Sequence, residues 1–141
     1  MPKRVLDVGN CGPDHAAIRS LLTRLFAAEV VQADGPDDTA ELLAAQPFDL
    51  VLVNRKLDFD YSDGMEIIRQ IKRNPKYAAL PVMLITNYPE HQAAAIAEGA
   101  IHGFGKRELA SRQTHEKLSR VLVGAADSTE PAPTGATSSA S

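Results

Sequence analysis

Tryptophan is absent from this chain and cysteine occurs once, as Cys11. A single thiol excludes an internal disulfide and a cysteine metal cluster, and it suits a reducing compartment. Long apolar runs are missing too. No stretch approaches the roughly 18 residues needed to cross a bilayer, and the opening MPKRVLDV lacks the apolar region of a signal peptide. Neither sign of charge dominates. Fifteen basic against 18 acidic side chains leave a net charge of -3, which offers no electrostatic footprint for nucleic acid or anionic membrane. No internal repeat is found. These absences lead us to expect a cytoplasmic protein that binds neither nucleic acid nor membrane. What is present suffices for one domain: 141 residues, 44% of them hydrophobic, enough for a sizeable core.

The most informative stretch is Phe48 to Asn54, FDLVLVN. Phe48, Leu50, Val51, Leu52 and Val53 lack the alternation of a half-exposed strand and suit one covered on both faces, as in the centre of a parallel sheet. Such a strand delivers the residue at its carboxyl end, Asn54, to the crevice where open α/β sheets hold their ligands. The rest of the chain alternates around it. A first strand spans Arg4 to Val8, interrupted by Asp7 and closed by the turn Gly9-Asn10-Cys11-Gly12-Pro13. Asp14 is placed to cap a helix whose buried face carries Ile18, Leu21, Leu22 and Leu25. Val30 and Val31 form a short second strand. The breaker Asp34-Gly35-Pro36 precedes a helix over Thr39 to Gln46, with Leu42 and Leu43, which Pro47 ends. A third helix is expected over Asp63 to Arg73, with Asp63 and Glu66 at capping-box spacing. Pro81 opens a fourth strand, VMLIT. A short helix covers Ala93 to Glu98 and stops at Gly99, and a weak fifth strand over Ile101 to Gly105 delivers Lys106 to the same sheet edge as Asn54. A last helix from about Ser111 to Val123 presents Leu118, Val121 and Leu122.

Parallel neighbours need long crossovers, so five strands alternating with five helices predict a three-layer α/β domain. It holds a five-stranded parallel sheet in the flavodoxin-like order 2-1-3-4-5, with helices on both faces. The domain is expected over residues 1–123. Residues 124–141, built of small residues and prolines, are expected to be a disordered tail.

The run NPKYAALPVMLITNYPEHQAAAIAEGAIHGFGK has a proline-started strand ending in Thr, a helix ending in Gly-Ala and a strand ending in Lys. Together with the order of motifs over residues 3–123, it resembles the bacterial response-regulator receiver domain, the CheY-like family of two-component phosphorelay signalling. The resemblance implies that Thr86 and Lys106 stand at the family's two signalling positions. It also implies that Asn54 stands where receivers carry the phosphoacceptor aspartate, and Gly9 and Asn10 where they carry the acidic pair that holds Mg²⁺. An amide nitrogen is no nucleophile toward phosphorus, and Mg²⁺ favours carboxylate charge. Gly9, Asn10, Asn54, Thr86 and Lys106 are therefore expected to form a degenerate pocket without metal, cofactor or catalytic residue. Restoring Asn54→Asp alone is not expected to recover phosphorylation without Gly9→Asp and Asn10→Asp. Further departures are a longer acidic loop after Asn54, Gly103 at the position of the mobile Tyr or Phe, and Arg107 in place of proline, where a trans bond is the default.

Other readings are kept beside this one. The loop VLDVGNCGP, with Asp34, also resembles the glycine motif of S-adenosylmethionine-dependent methyltransferases, although its glycines are spaced G-x-x-G; a small-molecule-binding flavodoxin-like domain is the alternative function. The loop Asp58 to Asp63 falls short of an EF-hand, because Gly64 comes one place late and Arg69 stands where Glu is needed. His15, His91, His102 and His115 show no ligand spacing and are expected at the surface. Cys11 lies at the crevice mouth near a helix N-terminus, which leaves a redox role open. The favoured expectation is a non-enzymatic pseudo-receiver that works by contact with other signalling proteins. A homodimer through the fourth helix, fifth strand and fifth helix is one form of that contact.

Overall fold

A computed structural model describes residues 2–123, and the expected tail lies outside the described residues. The Leu50–Val53 run forms the core of β3 (Leu50–Asn54), and all four side chains are fully buried. β3 lies between β1 (Arg4–Val8) and β4 (Val82–Ile85). β2 (Glu29–Ala33) and β5 (Ile101–Phe104) form the edges, so the parallel order is 2-1-3-4-5 as expected. Among the described residues no helix is long and apolar enough to cross a membrane.

Alternate side chains of the strands build two cores, as the two-residue period of a strand requires. Leu6, Val8, Val51, Val53 and Leu84 pack against α2 (Pro36–Ala45), α3 (Met65–Arg73) and α4 (Pro89–Ala97). Val5, Leu50, Leu52 and Phe104 pack against α1 (Gly12–Phe26) and α5 (Arg112–Leu122). Both cores are mainly aliphatic, and among the described residues Phe104 of β5 is the one fully buried aromatic.

Several local expectations are corrected. Asp14 does not cap α1: Cys11 occupies the N-cap, Pro13 stands in the first turn, and the Asp14 carboxylate turns toward β5. α2 starts at Pro36 instead of Thr39, because Asp38 accepts from the N–H groups of Asp34 and Gly35 and so satisfies the helix start. Only half of the capping box before α3 forms. Asp63 accepts from the Met65 N–H at 2.9 Å, while Glu66 turns to Arg69. α4 begins four residues early, at Pro89, a residue suited to a first helical position. Leu25, assigned to the buried face, is exposed at the end of α1. Ser111 caps α5 by accepting from the Thr114 N–H.

Candidate functional site

Asn54 closes β3 at the carboxyl edge of the sheet, where the ends of β1, β4 and β5 also converge. An open crevice of about 510 Å³ lies there. Asn54, Thr86 and Lys106 line it, so three of the five residues singled out from the sequence meet there. Gly9 and Asn10 do not line it. Gly9 takes a left-handed conformation, φ 81°, and a Cβ on it would collide with the Leu57 side chain. Its carbonyl accepts from the Asp58 N–H at 2.9 Å. Asn10 is buried, and its amide donates to Asp7.

The Asn54 side chain is held by its nitrogen. Nδ2 donates to Lys56 O at 2.7 Å and to Gly9 O at 3.2 Å. Both neighbours are carbonyl acceptors, which fixes the orientation of the amide. A carboxylate has no hydrogen to place there. The Thr86 hydroxyl is likewise engaged, 3.1 Å from His91 Nδ1 and accepting from the Tyr88 N–H at 3.3 Å. Lys106 Nζ lies 2.7 Å from Asp14 Oδ2. The hydrogen bond from this ammonium holds the Asp14 carboxyl below its ordinary range. Asp14 and Asp58 both line the crevice, so it is not free of acids, as the sequence positions alone implied. The remaining carboxylates of the following loop are engaged locally: Asp60 with Ser62, and Asp63 with Arg55 and the start of α3.

Below the crevice is a cluster the sequence did not reveal. Asp7 is fully buried on the α1 side of β1, with Oδ2 at 2.6 Å from His15 Nδ1 and Oδ1 at 2.5 Å from Asn10 Nδ2. Burial pushes the Asp7 carboxyl up, against the opposing hydrogen bonds from His15 and Asn10. His15, expected at the surface, is 13% exposed and serves as partner to this buried acid. Asp7 read as an interruption of the strand, and its spacing to His15 matches no motif; only the packing of α1 on β1 joins them.

Gln92 is the other residue missed. It is buried and joins the end of β4 to β5 by three hydrogen bonds, one of them accepted from the N–H of Gly103. Every peptide bond among the described residues is trans, the one between Lys106 and Arg107 included. The backbone of the Gly9–Pro13 loop is engaged by the protein itself: Gly9 N–H with Ala33 O, Asn10 O with the Gln32 amide. Cys11 lines the crevice as expected.

Comparison with known proteins agrees with this architecture. The signal receiver domain of a DNA-binding response regulator from Colwellia psychrerythraea superposes with a TM-score of 0.71. It is 24% identical, with 86% of this chain and 98% of that one covered. The chemotaxis response regulator CheY4 of Vibrio cholerae gives 0.68 at 20% identity, with 86% and 100% covered. A putative response regulator from Chloroflexus aurantiacus gives 0.72 at 16% identity, with 87% and 99% covered. At these identities the likeness is one of fold. The family model described as the response regulator receiver domain matches residues 13–119, a span that begins beyond β1 and the loop holding Gly9 and Asn10. On that match, which takes in more than half of its residues, the chain belongs to the response regulator receiver domain family.

Proposed function

We propose that this receiver domain has given up aspartyl-phosphate chemistry and acts as a phosphorylation-independent protein-interaction module, a signalling part rather than an enzyme. The observation that carries this is the Asn54 amide. It occupies the phosphoacceptor position of the family and uses its two hydrogens to tie Gly9 O to Lys56 O. The lone pair of an amide nitrogen is delocalised into its own carbonyl and does not attack phosphorus.

The donor set does not fit Mg²⁺ either. That ion demands near-octahedral oxygen ligands, usually with one or two carboxylates. Here Gly9 has no side chain, Asn10 donates its amide to Asp7, and Asp14 is already paired with Lys106, which leaves Asp58 as the remaining carboxylate in the crevice lining. The small-molecule alternative draws no support from the backbone of Gly9 and Asn10, whose hydrogen bonds go to Ala33, Asp58, Asn54 and Gln32 of the fold itself.

Signalling then rests on contact, and the surface we assign to it is formed by α4, β5 and α5. Ile96 of α4 and Ile101 of β5 are exposed there. The test is incubation of the purified protein with acetyl phosphate and Mg²⁺, followed by intact-mass measurement. No added phosphoryl group is expected. Stoichiometric labelling at a crevice residue overturns the proposal.

A further inference from the structure

The edge between β4 and β5 is irregular. Met83 pairs with Ile101 and Ile85 with Phe104, so two steps along β4 face three along β5, and one residue of β5 is extra. Such a bulge leaves backbone groups without ladder partners, and buried backbone groups need partners. Gln92 supplies them from the first turns of α4. Its Nε2 donates to Leu84 O at 2.9 Å and to Thr86 O at 3.3 Å, and its Oε1 accepts from the Gly103 N–H at 2.9 Å. A primary carboxamide both donates and accepts; an ionised carboxylate only accepts and an ammonium only donates.

Gly103 is also held from the other layer. Its carbonyl accepts from Lys117 Nζ of α5 at 3.0 Å and lies 3.0 Å from His102 Nδ1. A side chain at position 103 is barred, because a Cβ would press into Leu84 O. One residue of β5 thus ties α4, β4 and α5 together, and no ring stands there to change places. The Thr86 hydroxyl, which opens the same connection, is bonded to His91 and the Tyr88 N–H.

We infer that Gln92 is a clamp that fixes α4 to the β4–β5 edge in one arrangement, so that the α4–β5–α5 surface is presented constantly whatever the crevice holds. Only the use of that surface rests on the proposed function. The clamp itself is a property of the fold and is tested without any phosphorylation assay.

The experiment is amide hydrogen exchange by NMR on the ¹⁵N-labelled protein, with Gln92→Ala and Gln92→Met beside it. In the unaltered chain the Gly103 amide is expected to be as protected as the central amides of β3. In Q92A its protection falls by about tenfold or more, as for loss of a buried hydrogen bond, while β1 and β3 amides are unchanged. Q92M separates hydrogen bonding from mere filling of space. Its unbranched side chain keeps the volume of Gln92 but offers the Gly103 N–H no carbonyl oxygen and gives Leu84 O and Thr86 O no donor. Protection of Gly103 is therefore expected to fall in Q92M as it does in Q92A. Because Q92M fills the same space, it decides the matter even where Q92A does not fold. Gly103 protection unchanged in either variant overturns the clamp. Beryllofluoride with Mg²⁺, added to the unaltered protein, separates the two proposals. Amide shifts confined to the crevice support the clamp even as they count against the loss of phosphoryl chemistry, and shifts that reach Gly103 and Ile101 overturn it.

Discussion

An amide differs from a carboxylate by a nitrogen with two hydrogens, and at Asn54 those hydrogens are in use. Asn54→Asp leaves Lys56 O without its donor, takes one of two donors from Gly9 O and sets a charge against two carbonyls. Losing hydrogen bonds this way costs about 1–3 kcal/mol, so the variant is expected to unfold at lower urea concentration and to remain unlabelled by acetyl phosphate. Mg²⁺-dependent labelling of this single variant would show the metal argument to be wrong. Adding Gly9→Asp does not rescue it, because a side chain there meets Leu57 at a backbone φ of 81°. Asp7 gives a prediction of opposite sign. Burial raises its pKa in the fold above the ordinary 3.8, so the folded chain binds this proton more tightly than the unfolded one. Its contribution to stability is full below that ordinary value and is lost as pH rises through the folded-state pKa. Asp7→Asn keeps an acceptor for Asn10 and a partner for His15 without burying a charge. It is expected to stabilise the fold by about 1 kcal/mol at neutral pH, with the gain vanishing in acid. Urea titrations from acid to neutral pH check this, and a variant that is weaker at neutral pH with an unchanged slope sinks it.

At the scale of elements, the sequence was legible where burial is two-sided and obscure where packing decides. β3 was plain because a strand covered on both faces is an unbroken apolar run. The starts of α2 and α4 were not, because Pro36 and Pro89 act both as breakers before a helix and as good first residues within one. Asn54, Thr86 and Lys106 could be placed in the crevice because strand ends in a parallel sheet share one edge. Gln92 could not be picked out, since its partners are backbone groups exposed only by the bulge. The same bulge makes a sharp prediction for β5. Gly103→Ala drives a Cβ against Leu84 O, so β5 must draw away from β4, at a cost of about 2 kcal/mol or more. The expected signs are a lower Tm and amide shifts centred on β4, β5 and α4. A thermal unfolding curve identical to that of the parent chain would contradict the packing described.

At the scale of the molecule, the two cores stand on opposite faces of one sheet, and β5 is the edge at which helices of both layers, α4 and α5, meet. Ile96 and Ile101 lie outside both cores, 45% and 38% exposed, and neither is needed to hold the fold. Such residues separate an interaction role from a structural one, because surface substitutions away from packed features change stability by only about 0.5 kcal/mol. Ile96→Asp with Ile101→Asp is therefore expected to leave Tm nearly unchanged while abolishing capture of the partner, whether a second copy or another signalling protein. Pull-down from the native host, with light scattering on the purified chain, reads both forms. Capture by the parent chain is expected to be the same with and without acetyl phosphate, since the surface is held from within by Gln92 and Lys117. Capture that survives the double substitution places the contact elsewhere on the domain. Capture that appears only after acetyl phosphate restores to the crevice the chemistry that Asn54 argues against.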